Sequence, residues 1–251
     1  MADFESWQQY QEFAQYIMKT ARHVFDARNR QFIESVVETS GKRRVIIPVG
    51  SVLWRAQLGS DTRIEAVNVG DDVDPEFVDI ECPYQPERMN PLIDRASEGR
   101  VNPKGIPCLY CSTDRETAMT ETRPWIGSYV TVAEFELKKP LTVVDCSVYE
   151  GVPIPLFGEA KPSQREKHVW NSINRAFATP VTRADDVAEY APTQVLAEAF
   201  RSAGFDGIKY GSKLGEGKSI ALFDLAAAKP TDCYLYKVDS VKLTYAPVQD
   251  W

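Results

Sequence analysis

Residues 99–121 read GRVNPKGIPCLYCSTDRETAMTE, and this stretch predicts a loop, a strand and a helix in immediate succession. The glycines and prolines at its start favour a loop, and the apolar run at residues 108–112 favours a strand. Residues 114–122 follow a helical pattern that ends at Pro124, because proline cannot continue a helix. This order places three chemically different side chains close together along the chain.

The three side chains are the guanidinium of Arg100, the phenol ring of Tyr110 and the carboxylate of Glu121. An arginine fork suits a diphosphate, an aromatic face suits a flat heterocycle, and a carboxylate suits a sugar hydroxyl or a developing positive charge. A dinucleotide such as NAD offers all of these groups. Glu116 lies about 140° from Glu121 around the predicted helix, so we do not expect the two carboxylates to work as a pair.

Length and charge narrow the possible classes of protein. With 251 residues, of which 43% are hydrophobic, the chain can form one domain with additions or two small domains. The formal net charge of −7 argues against nucleic acid as the main partner, because such partners need a basic surface. No apolar run reaches the roughly 20 residues of a membrane-spanning helix, and the first residues do not resemble a secretion signal. The sequence therefore predicts a soluble, cytoplasmic protein without a membrane partner.

The five cysteines do not follow a disulfide spacing, which suits a reducing compartment. Cys108 and Cys111 have the spacing of a zinc or redox pair, but strand residues three apart point to opposite faces, and no second pair completes four ligands. We therefore expect buried, inert thiols and no metal site. His23 and His168 lie in charge-rich helical segments, where surface or packing roles are expected.

Helices are predicted on both sides of a set of short strands. Residues 1–44 are predicted to form an N-terminal helical extension, since apolar residues recur at helical spacing in residues 3–25 and 32–37. Residues 61–87 are acidic with little periodicity, which predicts a long solvated loop or flap, with metal binding as the sharper alternative. Further strands are predicted at residues 44–55, with Arg55 at their end, and at 129–137, 141–145, 207–210 and 219–223. Further helices are predicted near residues 165–176 and from Thr193, as N-cap, to about residue 201.

The sequence contains several short motifs whose order along the chain resembles that of the RES domain family. This family is named for an Arg, Glu and Ser set and is known for toxins of bacterial toxin–antitoxin systems. The motifs are LWRA at residues 53–56, GRxNPxG at 99–105, LY at 109–110, ETAxxE at 116–121, TQ at 193–194, GFDGIxYxS at 204–212 and ALF at 221–223. Together they cover about residues 45 to 225.

The family resemblance implies an α+β fold related to ADP-ribosyltransferases, with mixed or antiparallel sheets and flanking helices in a RES domain at residues 45–251. It also implies a set of residues that bind or cleave NAD: Arg55, Arg100, Asn102, Tyr110, Glu121, Ser212 and Ser219. Ser219 stands where the family often has an asparagine.

Five of these seven residues have a chemical role that can be stated in advance. We expect Arg100 and Arg55 to clamp the diphosphate, and the ring of Tyr110 to pack on nicotinamide. Glu121 is expected to bind ribose hydroxyls and to stabilise a cationic transition state. Ser212 is expected to donate a hydrogen bond to a phosphate or to the ribose beside it.

The activity that the resemblance implies is cleavage of the nicotinamide–ribose bond of NAD by phosphorolysis or hydrolysis, with loss of cellular NAD. NAD is then the substrate, and no prosthetic group is expected. Ordinary glycosidases need two carboxylates because an alkoxide leaving group must be protonated. Nicotinamide in NAD is a pyridinium and departs neutral, so one carboxylate suffices.

Two alternatives remain open from the sequence. ADP-ribose could be passed to a protein side chain, but protein-directed transferases commonly have a second acidic residue two positions before the catalytic one, where this chain has Met119. The chain could also be a non-catalytic module that senses NAD or binds a partner. If it is a toxin, the resemblance implies a separate antitoxin protein, and the sequence leaves the oligomeric state open.

Overall fold

The computed structural model describes residues 4–67, 75–153, 158–179, 187–242 and 244–245. The α-helices in these residues are α1 (Gln9–Lys19), α2 (Ala27–Ser40), α3 (Arg115–Glu121), α4 (Pro162–Ala178) and α5 (Ala191–Ser202). The strands are β1 (Arg44–Ile47), β2 (Val52–Leu58), β3 (Asp61–Val67), β4 (Glu76–Cys82), β5 (Leu109–Ser112), β6 (Tyr129–Leu137), β7 (Leu141–Asp145), β8 (Gly207–Gly211), β9 (Lys218–Leu222) and β10 (Ala228–Lys237).

Eight of these strands form one mixed sheet in the order β1-β7-β8-β9-β5-β2-β6-β10. Neighbouring strands are antiparallel except for β7 and β8, which are parallel. Strand β5 lies between β9 and β2 in this sheet and is almost fully buried. A large mixed sheet with separate helices confirms the predicted α+β class.

The N-terminal helices pack into the main hydrophobic core. The rings of Phe13 on α1 and Phe32 on α2 lie 4.8 Å apart, and both belong to the cluster that includes Trp170 of α4 and Phe200 of α5. The indole nitrogen of Trp170 also donates a hydrogen bond to Oγ1 of Thr39, at 3.0 Å. The predicted helical N-terminal part is therefore present, and its described residues share a core with the rest of the chain.

The prediction of a loop at residues 61–87 was wrong. Strands β3 and β4 form a separate two-stranded antiparallel sheet, paired from Asp61 with Cys82 to Val67 with Glu76. In β4, the half-buried Val78, Ile80 and Cys82 alternate with the exposed Asp79 and Glu81, so a period of two is present. The many acidic residues and the exposure of most of β3 made this signal weak. Residues 68–74, which hold part of the predicted acidic cluster, lie outside the described residues.

Three smaller differences from the sequence prediction affect the site or the sheet. Arg55 lies in the middle of β2 and not at its end. Thr193 lies inside α5, where its hydroxyl donates to the carbonyl of Tyr190 at 2.9 Å, and is not the N-cap. Strand β10 was missed because its pairing with β6 is interrupted between Pro230 and Cys233, which breaks the alternating pattern.

Among the described helices, none combines enough length with enough apolar residues to span a lipid bilayer.

Candidate active site

A cavity of about 270 Å³ opens where β2, β5, β8, β9 and α3 approach the loop that carries Arg100. It contains an aromatic wall, two guanidinium groups, one carboxylate and small polar groups. Its lining residues are Trp54, Arg55, Ala56, Gly99, Arg100, Tyr110, Cys111, Ser112, Ala118, Glu121, Thr122, Tyr190, Tyr210 and Ser219. Five of the seven residues predicted for the site therefore line one cavity, and only Asn102 and Ser212 do not.

Arg100 and Glu121 face each other across this cavity. Nη1 of Arg100 lies 3.7 Å from Oε2 of Glu121, and their side chains are 14% and 21% exposed. Glu121 is the last residue of α3, where the partial negative charge of the helix end disfavours an anion. The guanidinium offsets this unfavourable position and leaves a half-buried carboxylate at the cavity wall.

Two serines from the opposite hairpin contact the other oxygen of Glu121. The hydroxyl of Ser212 donates to Oε1 at 2.6 Å, and Oγ of Ser219 lies 3.5 Å from the same atom. Oγ of Ser212 in turn accepts hydrogen bonds from the backbone N–H groups of Leu214 and Gly215, at 3.1 and 3.0 Å. These bonds orient the Ser212 hydroxyl towards Glu121, so Ser212 positions the carboxylate from outside the cavity lining.

Tyr210 is a site residue that the sequence analysis did not identify as functional. It lies buried on β8 and lines the cavity together with Arg100 and Ser219. Burial raises the pKa of Tyr210 to about 12, an effect that the positive charge of Arg100 partly opposes and the negative charge of Glu121 reinforces. The phenol therefore stays protonated at neutral pH. Its place in the GFDGIxYxS motif was the available signal.

Tyr110 presents its ring to the cavity while its hydroxyl is used to hold the Arg100 loop. The hydroxyl donates to Oδ1 of Asn102 at 2.6 Å and accepts from the backbone N–H of Val101 at 3.0 Å. Burial raises the pKa of Tyr110 well above its usual value of 10.0. The two N–H groups of the Asn102 amide are directed to the carbonyls of Ser97 and Pro103, at 3.0 and 3.2 Å. The buried Asn102 thus shapes the loop, with its amide already occupied.

The same loop is fastened to α5 by Gln194. Its Nε2 lies 2.9 Å from the carbonyl oxygen of Gly99, 3.1 Å from that of Asn102 and 3.0 Å from Oε1 of Glu98. A Cβ atom at Gly99 would lie 2.6 Å from the Tyr110 hydroxyl, which explains why glycine stands directly before Arg100. The orientation of Arg100 therefore depends on a buried side chain from a distant helix.

Arg55 is largely buried between two backbone carbonyls. Its Nε donates to the carbonyl of Met89 at 2.9 Å, and Nη1 donates to the carbonyl of Tyr110 at 3.0 Å. Burial lowers the pKa of Arg55 below its ordinary value of 12.5, although a guanidinium keeps its charge in proteins. No carboxylate among the described residues forms an ion pair with it.

The glycine-rich segment between β8 and β9 is a hairpin loop packed on α3. Three of its backbone N–H groups donate to hydroxyls, those of Leu214 and Gly215 to Ser212 and that of Gly217 to Oγ1 of Thr117, at 2.9 Å. A Cβ atom at Gly217 would lie 1.6 Å from Oδ2 of Asp114, the residue that caps α3. The glycines serve this close approach, and the structure favours the plain hairpin over the phosphate cradle.

The two cysteines beside the site are buried, free thiols. Burial raises the pKa of Cys108 to about 11 and that of Cys111 to about 12, so neither is a thiolate at neutral pH. Among the residues described, no group of three or more His, Cys, Asp or Glu side chains is arranged to hold a metal ion.

Comparisons with known proteins complete these observations. No curated protein sequence matched the chain. Among solved structures, the M. tuberculosis MbcT–MbcA toxin–antitoxin complex contains a chain that is similar at 12% identity, covering 80% of this chain and 92% of that chain, with a TM-score of 0.39. The RES domain profile matches residues 80–245, which is more than half of the chain and includes Arg100, Tyr110, Glu121 and Ser212. The chain belongs to the RES domain family.

Proposed function

We propose that this protein is an enzyme that cleaves the nicotinamide–ribose bond of NAD and transfers ADP-ribose to a small acceptor, phosphate or water. The observation that carries the proposal is the 3.7 Å approach of Arg100 to Glu121 on the wall of one cavity, beside the ring of Tyr110. A single carboxylate suits this reaction because the leaving nicotinamide is a pyridinium and departs without a proton.

In the proposed reaction, the chain supplies position and charge. The bond between the anomeric carbon and the pyridinium nitrogen breaks, and the electron pair leaves with nicotinamide. An oxygen of phosphate or water forms the new bond to the anomeric carbon, and water releases a proton to the solvent. Glu121 stabilises the positive charge that develops on the ribose, and the hydroxyl of Ser212 holds the carboxylate in place at 2.6 Å. The ring of Tyr110 packs on the departing nicotinamide.

Arg100 is expected to change partner when substrate enters. At 3.7 Å its contact with Glu121 is longer than a hydrogen bond, so the two charges attract without a well-formed N–H···O contact. A phosphate oxygen of the substrate offers a shorter, charge-assisted bond. This exchange places the diphosphate at Arg100 and leaves Glu121 free to face the ribose.

The surroundings of Glu121 support a small acceptor over a protein side chain. Met119 occupies the position at which protein-directed transferases commonly have a second acidic residue. Glu116 is exposed and pairs with Arg115, at 3.5 Å, so it does not replace that acid. The volume of about 270 Å³ lies just below the usual range for small-molecule sites, about 300–1,000 Å³. It therefore suits the nicotinamide riboside end of NAD.

We further propose a biological role as the toxin of a toxin–antitoxin pair that acts by depleting NAD in the cytoplasm. Membership of the RES domain family supports this role. A separate antitoxin protein would then be needed to restrain the activity. Expression without this partner is expected to stop growth and to lower cellular NAD, whereas arrest with normal NAD would contradict the role.

The direct test is to incubate the purified protein with NAD and to follow free nicotinamide by chromatography, with and without phosphate. Mass spectrometry identifies the second product as ADP-ribose, its 1″-phosphate or a modified protein. Nicotinamide release that is lost in E121Q supports the proposal. Stoichiometric NAD binding in calorimetry without release would instead indicate a sensing module, and release at an unchanged rate in E121Q would remove the carboxylate from the mechanism.

A further inference from the structure

A second cavity of about 260 Å³ adjoins the candidate active site and shares Arg55 and Tyr110 with it. Most of its wall comes from the segment between β4 and the Arg100 loop. The lining residues that matter here are Arg55, Gln57, Arg88, Arg95 and Tyr110. Because Arg55 and Tyr110 line both cavities, the two cavities lie next to each other and share these two side chains as part of their walls.

The second cavity is strongly positive in a protein that is acidic overall. Three arginines, Arg55, Arg88 and Arg95, line it, and no Asp or Glu is among its lining residues. The chain as a whole carries a formal net charge of −7. Such a local excess of guanidinium groups is typical of a site for a phosphate or another oxyanion.

Arg55 is the most buried of the three arginines and has no anionic partner among the described residues. Its Nε and Nη1 donate to neutral carbonyls, at 2.9 and 3.0 Å, and burial lowers its pKa. A buried cation without an anionic partner is unfavourable, because carbonyl dipoles replace only part of its hydration. A bound anion would supply the missing charge.

Arg88 and Arg95 stand at the more exposed side of the same cavity. Arg88 lies over the ring of Tyr84, at 4.8 Å, and its Nη1 is 3.5 Å from Oε1 of Gln57, which keeps it beside the cavity. Neither arginine forms an ion pair with any residue in the described part of the chain. Their guanidinium groups are therefore available to a ligand.

We infer that the arginine-lined cavity is a phosphate-binding subsite, in which the adenosine-side phosphate of the dinucleotide lies against Arg55, Arg88 and Arg95. The inference rests on the proposed function for the identity of the ligand. The nicotinamide riboside end occupies the cavity of Glu121, the nicotinamide-side phosphate lies at Arg100, and the adenosine-side phosphate reaches Arg55, which lines both cavities. A free phosphate that serves as acceptor offers the same chemistry, and the kinetic experiment below distinguishes the two sources.

The test compares R88Q/R95Q with R30Q/R63Q, a control that removes the same charge from two exposed arginines outside the cavity. In calorimetry with ADP, we expect the Kd of R88Q/R95Q to rise about tenfold, equivalent to about 1.4 kcal/mol, while the control stays within about twofold. In nicotinamide release, the KM for NAD is expected to rise about tenfold with kcat retained. The KM for nicotinamide mononucleotide, which lacks the adenosine-side phosphate, should not change.

A different kinetic pattern would identify the second source of phosphate. If the KM for inorganic phosphate rises with either nicotinamide substrate, the subsite is supported and its occupant is the acceptor. The subsite is overturned if the unmodified protein binds neither ADP nor phosphate, or if folded R88Q/R95Q matches the control in ADP binding and in every KM. Absence of nicotinamide release from the unmodified protein would refute the proposed function alone, since the ADP calorimetry does not depend on turnover.

Discussion

The attachment of the Arg100 loop to α5 leads to a measurable effect on stability. The amide of Gln194 has two N–H groups and three acceptors within 3.1 Å, at Glu98, Gly99 and Asn102. The substitution Q194L keeps the approximate size of the side chain and removes both donors. The carbonyl of Asn102 keeps the N–H of Gly99 as a partner, at 2.9 Å, but that of Gly99 loses its donor.

The size of the effect follows from the hydrogen bonds that are lost. A buried acceptor left without a partner costs about 1–3 kcal/mol, and a loss of about 2 kcal/mol is expected because the loop is only partly buried. With an unfolding entropy of about 2.1 cal/mol/K per residue, this lowers the Tm of a chain of 251 residues by about 4 °C. Displacement of Arg100 should also reduce kcat/KM for NAD by about 10- to 100-fold.

The assay is thermal unfolding followed by circular dichroism, together with nicotinamide release. Q164L is the matched control, because Gln164 is exposed on α4 and its substitution should change stability by less than about 0.5 kcal/mol. If Q194L unfolds within 1 °C of the unmodified protein, about a quarter of the shift expected, the amide does not fasten the loop. The Tm result holds whether or not NAD is the substrate.

Three further predictions concern catalysis, packing and pH. E121Q should lower kcat for nicotinamide release by about 10²–10³-fold. Its Tm should change little, because the amide keeps an oxygen for the Ser212 hydroxyl. A loss of folded protein as large as the loss of activity would contradict this prediction. G217A should destabilise the protein in urea unfolding, because its Cβ would lie 1.6 Å from a carboxylate oxygen, whereas G41A, with no atom within 4 Å, should not. The free energy of unfolding should fall as pH rises from about 9 towards 12. The reason is that Cys108 and Cys111 have raised pKa values in the folded state, so their thiols ionise first in the unfolded chain. Urea midpoints that stay unchanged across this pH range would refute the prediction.

Much of the local structure was predictable because periodicity and turn residues are local signals. The strand at residues 108–112 and the helix that follows it are present as β5 and α3, with Asp114 as the N-cap. The hairpin of β3 and β4 was predicted as a loop although Val78, Ile80 and Cys82 alternate with exposed residues in β4, because the acidic composition and the shallow burial of both strands weaken this signal.

The sequence indicated which residues of the candidate site lie together better than it indicated what each of them contacts. Arg100, Tyr110 and Glu121 line one cavity, as their spacing and the family motifs had indicated. Asn102 proved to be engaged with Ser97, Pro103 and Tyr110. An asparagine in a loop carries no sign of which groups will satisfy its amide, since its partners depend on how the loop folds back.

From the order of residues alone, one can read an α+β chain whose single carboxylate, arginine and aromatic ring suit a pyridinium leaving group. The sequence does not indicate that Ser212 meets Glu121, 91 positions earlier in the chain, or that Tyr210 lies beside Arg100. That meeting depends on the sheet, in which β9 pairs with β5 and sets Ser219 opposite Ser112. Strand order and register arise from burial summed over the whole chain, and no local pattern encodes them.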